Sequence, residues 1–173
     1  YLPLDSNDIN VLKTINGFNT KLQDIGLKLK TGLTVDFRNE EYLEKNASNN
    51  NVPLLSSIHF KNGVIKFPSN EDEAQYIRKD NRALLQKNTN YLLIKRFSSK
   101  EEKRRIQPAM FFKNDFEEYD FISTENHVNF IGSIDNKELE KDLIYGLYGI
   151  YNSTLYDKYY RILNGSTQVN ATE

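Results

Sequence analysis

Ile9, Leu12 and Ile15 recur at the spacing of one helical face, with Ser6 and Asp8 ahead as candidate caps and Gly17 as an interruption. Leu22 and Ile25 predict a second short helix, closed by Gly26. From Leu27 the period changes. Leu27, Leu29, Leu33, Val35 and Phe37 alternate with polar or small residues, which predicts a half-buried strand, and Gly32 within it marks a bulge or a close backbone approach.

Asn46, Ser48, Asn49, Asn50 and Asn51 read as a surface loop. The segment Leu54 to Phe60 predicts a strand containing His59, and Asn62-Gly63 followed by Val64, Ile65 and Phe67 predicts a hairpin that Pro68 ends. Ala74, Ile77, Leu84 and Leu85 within the charged stretch from Glu71 to Lys87 predict a helix or two short ones. Tyr91 to Phe97 and Ile106 to Phe112 predict strands, joined by the charged connection from Ser98 to Arg105. Pro108 places the second strand at an edge or at a bulge. Near the end, Asp135 and Glu138 form a capping-box pattern before the stripe Leu139, Leu143, Leu147 and Ile150. Leu155, Tyr159 and Ile162 make a further stripe beyond Asn152-Ser153, stopped by Asn164-Gly165. The expected fold class is therefore α+β: a mixed or mainly antiparallel sheet with flanking helices and a C-terminal helical pair.

The length of 173 residues fits one domain, 1–173, with room for one core. Cysteine is absent, which excludes disulfide scaffolds, thiolate nucleophiles and cysteine zinc sites. No apolar run approaches the roughly 20 residues that span a bilayer, and the composition reads as that of a cytoplasmic chain with no membrane partner. The start at Tyr1 and the end at Glu173 suggest a piece of a longer protein.

With a formal net charge of -1, the molecule as a whole does not attract nucleic acid. The cations are concentrated locally: Lys95, Arg96, Lys100, Lys103, Arg104, Arg105 and Lys113 are opposed by Glu101 and Glu102. Such a segment is either solvated surface or a phosphate-contacting one. Catalytic chemistry is scarce. His59 and His127 lie in no metal-binding spacing; His59 reads as a structural hydrogen-bonding residue, and His127 as a surface or DNA-facing one. Asp115, Glu117, Glu118 and Asp120 read as a solvated loop. Asn126, Asn129, Asn164, Gln168 and Asn170 stand in turn-like segments, either as compositional drift or as side chains able to pair with adenine. The tyrosines of the last two helices read as packing residues.

The segment from Tyr91 to Ile106, YLLIKRFSSKEEKRRI, resembles the C-terminal target-recognition region of restriction-modification DNA adenine methyltransferases of the PstI, BsuBI and TaqI type. Leu29 to Arg38, His59 to Gly63, Asn126-His127, Leu155 to Arg161 and Gly165 to Thr172 are similar to further parts of that region. The resemblance implies a target-recognition fold, double-stranded DNA as partner, and an N-terminal catalytic domain of the same chain that uses S-adenosylmethionine to methylate adenine N6. Neither a Pro-Pro pair nor a nucleotide-type glycine loop is present, so the fragment is expected to hold no cofactor, metal or catalytic residue and to be inactive alone. The DNA-contact candidates are Lys95, Arg96, Lys100, Lys103, Arg104 and Arg105, with Thr31, Arg38, His59, His127, Gln168 and Asn170 beside them. Thr167, Gln168 and Asn170 are alternatively organisers of a domain junction. Two other functions are expected alternatives: a scaffold assembling a restriction-modification complex through protein contacts, and a standalone hydrolytic domain, which the missing histidine pairs disfavour.

Overall fold

The computed structural model describes residues 5–70 and 72–163. Its elements, in chain order, are α1 (Ser6–Asn16), β1 (Leu27–Thr31), β2 (Leu43–Glu44), β3 (Asn51–Leu55), β4 (Phe60–Lys61), β5 (Val64–Ile65), β6 (Tyr76–Arg78), β7 (Gln86–Lys87), β8 (Tyr91–Lys95), β9 (Pro108–Phe111), β10 (Phe121–Thr124), β11 (Val128–Ser133), α2 (Lys141–Tyr151) and α3 (Thr154–Leu163). Among the described residues the strands form one sheet in the order β1-β11-β8-β9-β5-β4 and a second in the order β2-β6-β3-β10-β7. Only the β5/β9 and β10/β3 pairs are parallel. The fold is thus α+β, mainly antiparallel, with flanking helices and a C-terminal helical pair, as the sequence predicts.

The continuous apolar run of β8 explains the layering. Leu92 and Ile94 join Ile131, Ile144, Leu147 and Tyr160 under the helices, whereas Tyr91 and Leu93 join Val128, Phe130, Leu55 and Ile122 between the sheets. Both faces of β8 are covered, and burial of each such side chain contributes about 1.5–3 kcal/mol. A third cluster, Val52, Leu54, Ile77 and Leu84, lies on the second sheet.

Several local expectations hold. Gly26 closes the 3-10 turn Leu22–Ile25 in the left-handed region, at φ 74°. Asn62 and Gly63 take positive φ, 54° and 80°, as a type I′ hairpin between β4 and β5 demands. Other expectations are corrected. The α1 cap is Asp5, whose carboxylate accepts the Asn7 and Asp8 amides at 2.8 and 2.9 Å, and Val11 rather than Ile9 is the buried residue. Alternation beyond Thr31 does not continue as strand, because the chain turns there into a single bridge, Thr34 to Glu125, and a 3-10 turn. His59 sits in a 3-10 turn, Ser57–His59, between strands.

The stretch from 72 to 87 forms no α-helix: it holds β6, one 3-10 turn at Arg82–Leu84, and β7. Ile77 registers with both Val52 and Leu43, so pairing on two sides outweighs local helix propensity. Pro108 opens β9, which lies inside its sheet rather than at an edge; the first position of a strand tolerates a missing N–H. The Asp135–Glu138 capping box does not form: the Asp135 amide donates to Ser133 Oγ at 3.2 Å, and Glu138 pairs with Lys113 at 3.1 Å. The buried phase of α2 is Ile144, Leu147 and Tyr151, which leaves Ile150 56% exposed. Asn164-Gly165, Thr167, Gln168 and Asn170 lie outside the described residues.

Candidate nucleic-acid interface

The end of β8 meets the turn between β10 and β11. Lys95 registers with Val128, the Arg96 amide donates to the His127 carbonyl at 2.8 Å, and the Arg96 guanidinium donates to the Asn126 carbonyl at 3.1 Å. Arg96 is thereby oriented by two backbone acceptors. The Arg96 guanidinium lies 5.6 Å from the Phe97 ring, and the His127 ring meets Phe97 edge-on at 4.9 Å. Phe97 is 38% exposed.

Gly32 brings a second segment to the same turn. Its amide donates to the Val128 carbonyl at 2.8 Å, and a Cβ there would run into the Glu125 backbone and stand 2.6 Å from the Thr124 carbonyl oxygen. The close backbone approach is therefore the reason for glycine, and no bulge is needed. Thr31 Oγ1 donates to Asn129 at 3.0 Å, the Thr34 amide donates to Thr124, and the Asn126 amide donates to Thr34. Beyond, Phe37 is 71% exposed with the Arg38 guanidinium 5.3 Å from its ring. Two neighbouring Arg/Phe pairs, Phe37-Arg38 and Arg96-Phe97, are thus stacked cation–aromatic pairs. Sequence reading missed both phenylalanines as contact candidates, although an arginine directly beside each was a usable signal.

Glu125 is buried under this turn. Its carboxylate accepts the His127 amide at 3.0 Å and lies 2.9 Å from His127 Nδ1. Burial first, and then the charge of Asp36, raise its pKa to about 7, against the His127 amide and Arg96, which pull it down. At neutral pH the carboxyl is only partly ionised, so it offsets only part of the positive charge on Arg96.

The basic connection after β8 divides into exposed and internal cations. Asp157 of α3 holds its backbone: one carboxylate oxygen accepts the Arg105 and Ile106 amides at 2.6 and 3.1 Å, and the other accepts Arg161 Nε at 2.9 Å. Arg161 then donates to the Lys100 and Glu102 carbonyls at 3.0 and 2.7 Å. Arg105 turns inward. It is 2% exposed, its Nε donates to Ser98 Oγ at 3.0 Å, and its guanidinium lies 5.4 Å from the Tyr160 ring. Arg104, half-buried, donates to the Ser153 carbonyl at 2.8 Å. Lys100 and Lys103 are exposed, and Lys95 and Arg96 half-buried. Burial takes Arg105 off the solvent-facing set; its charge is used inside the chain.

His59 is also removed from the surface, at 0% exposure. Its Nδ1 accepts the Ser56 amide at 3.0 Å and its Nε2 is 3.0 Å from Gln75 Oε1, an arrangement that fixes the neutral tautomer. Burial pushes its pKa down, against the raising effect of the Gln75 and Ser56 hydrogen bonds. The structure accordingly brings together Thr31, Arg96 and His127, and holds the loop of Lys100 and Lys103 against α3. Among the described residues no three His, Asp or Glu side chains are grouped to hold a metal, and no helix is long and apolar enough to cross a membrane.

No family model matches the sequence. The chain is 36% identical over 160 residues to the Type II methyltransferase M.PstI of Providencia stuartii, an alignment covering 91% of the chain and 31% of that protein. It is likewise 36% identical over 154 residues to the Type II methyltransferase M.BsuBI of Bacillus subtilis, covering 88% of the chain and 30% of that protein. The chain therefore spans less than a third of the length of these curated relatives, and over most of its own length it is homologous to that part of two Type II methyltransferases.

Proposed function

We propose that the chain is the double-stranded-DNA target-recognition part of a longer, site-specific adenine-N6 methyltransferase of a restriction-modification system. The observation that carries this reading is the 36% identity to two Type II methyltransferases across 91% and 88% of the chain. The exposed cation–aromatic surface supplies suitable chemistry. Lys95, Arg96, Arg38, Lys100 and Lys103 contact phosphates, with an arginine available for a guanine edge. Phe97 and Phe37 offer ring faces to bases or sugars while the target adenine is flipped out toward the catalytic domain. Thr31 and His127 border that contact, whereas Arg104, Arg105 and His59 act through the protein that supports it.

In this reading the methyl donor belongs to the N-terminal catalytic domain. S-adenosylmethionine carries a sulfonium cation, and the cleft between β1 and β7 is lined by lysines without a carboxylate, a donor set unsuited to it. The chain's own residues bind and orient DNA; the transfer of the methyl group to N6 is the work of the rest of the protein.

The test is fluorescence anisotropy of a labelled duplex titrated with the 173-residue chain over a salt series. Replacing Arg96, Lys100 and Lys103 together by glutamine is expected to flatten the slope of log K against log salt by about 0.9 for each lost phosphate contact, on all sequences alike. An unchanged slope would remove this surface from the DNA contact. No binding of the chain to duplex, with a protein captured instead, would favour the scaffold function. For the longer protein, labelled methyl from S-adenosylmethionine should enter duplex DNA and be refused when the target adenine already carries an N6-methyl group.

A further inference from the structure

The strands β1 and β7 are the edges of the two sheets, and between them lies a cleft of about 320 Å3. Alternation along β1 sends Leu27 and Leu29 toward the helical cluster, so Lys28 and Lys30 face the other way, into the cleft. Lys87 enters from β7, and Lys137 from the turn after β11. Four lysines thus line one concavity, with Tyr91 among the lining residues and no carboxylate.

Among the described residues little offsets this charge. Lys28 Nζ donates to the Ile134 carbonyl at 2.9 Å, an uncharged acceptor. Lys137 has a long 3.7 Å pair with Asp135, in which both side chains are exposed. Burial, and then the proximity of Lys28, push the Lys30 amine below its ordinary value, as expected for cations held together without a counter-ion. Like charges in one concavity focus a positive potential that an anion would complete.

The cleft adjoins the Arg96 surface through one short connection. Leu33 lines the cleft, while Gly32 and Thr34 on either side of it are bonded to Val128 and Thr124 beside the β10–β11 turn. A polyanion leaving that turn would meet the lysines next.

We infer that the cleft is a phosphate site, in which Lys30 and Lys87, supported by Lys28 and Lys137, hold phosphodiester groups of the duplex flanking the bases read at the Arg96 surface. The inference rests on the DNA-binding function proposed above, and extends it to residues on different strands and a different part of the surface.

The experiment compares the chain with its Lys30→Gln, Lys87→Gln variant, using the same labelled duplex. Both side chains are exposed, so the variant should keep its fold, checked by circular dichroism. Two lost phosphate contacts flatten the salt slope by about 1.8, so the wild type should lose about 12-fold more affinity than the variant between 50 and 200 mM salt. As a second readout, amine acetylation mapped by mass spectrometry should find Lys30 and Lys87 protected by saturating duplex, with Lys61, on the opposite edge strand β4, still reactive. Binding by both proteins with equal slopes and reactive Lys30 and Lys87 would overturn the cleft and leave the DNA-binding function standing. Failure of the wild-type chain to bind duplex at any salt would overturn both.

Discussion

Replacing Asp157 by alanine is expected to be the most damaging single change on α3. The residue is 7% exposed and its side chain accepts three hydrogen bonds, from the Arg105 and Ile106 amides and from Arg161. Alanine leaves two buried amides without acceptors, at about 1–3 kcal/mol each. Arg161 is itself one-third exposed, so water takes over much of its lost pairing and the ionic part is discounted. The total comes to about 3–4 kcal/mol, within the range for removing one partner of a buried charged network. Asparagine retains a carbonyl oxygen for both amides and should cost only about 1 kcal/mol. Urea denaturation of the chain measures both: the midpoint should fall by about 2 M for alanine at an unchanged slope. The pH dependence separates charge from geometry. Burial raises the Asp157 pKa, but the hydrogen bonds from Arg161, Ile106 and Arg105 outweigh it and hold the folded value below the ordinary 3.8. The associated stability is fully present above that ordinary value and is lost as pH falls through the folded one, so wild type and Asp157→Asn should converge only in acid. An alanine variant destabilised by less than about 1 kcal/mol would refute the role of Asp157 in holding the loop.

Glu125 should give the opposite pH behaviour. Its folded pKa, about 7, lies above the ordinary 4.5, so stability falls as pH rises between those values; Glu125→Gln should flatten that fall, seen as thermal midpoints across the same interval. Gly32→Ala forces a Cβ into the Glu125 and Thr124 backbone and should cost about 1–3 kcal/mol in urea, because backbone cannot step aside as a flexible side chain does. A normal midpoint for that variant would mean that the segment moves freely.

The architecture was legible where signals are local. The Asn62-Gly63 hairpin, the glycine after the Leu22–Ile25 turn, and the apolar run of β8 depend on a few adjacent residues, and they were read correctly in kind. β10 and β11 were not anticipated, although β11 lies between β1 and β8 in the sheet. Its sequence VNFIGS carries a buried asparagine and a glycine, and it is a strand because its neighbours on both sides pair with it. The same competition turned a nominally helical stretch into β6 and β7.

The candidate interface divides in the same way. That cations accumulate after β8, that Gly32 meets another backbone closely, and that Asn126-His127 forms a turn were all properties of short segments. Which cations face solvent was not. Arg104 and Arg105 are adjacent and chemically alike, yet Arg105 is buried because Asp157, 52 residues away, holds its amide while Tyr160 covers its guanidinium. The lysine cleft likewise needs β1, β7 and the turn after β11 to converge. Sequence fixes what each residue can exchange with water, ions or a partner; the selection among those exchanges is made by contacts whose members are far apart along the chain, and burial energy enters only when the sheets and helices close over them.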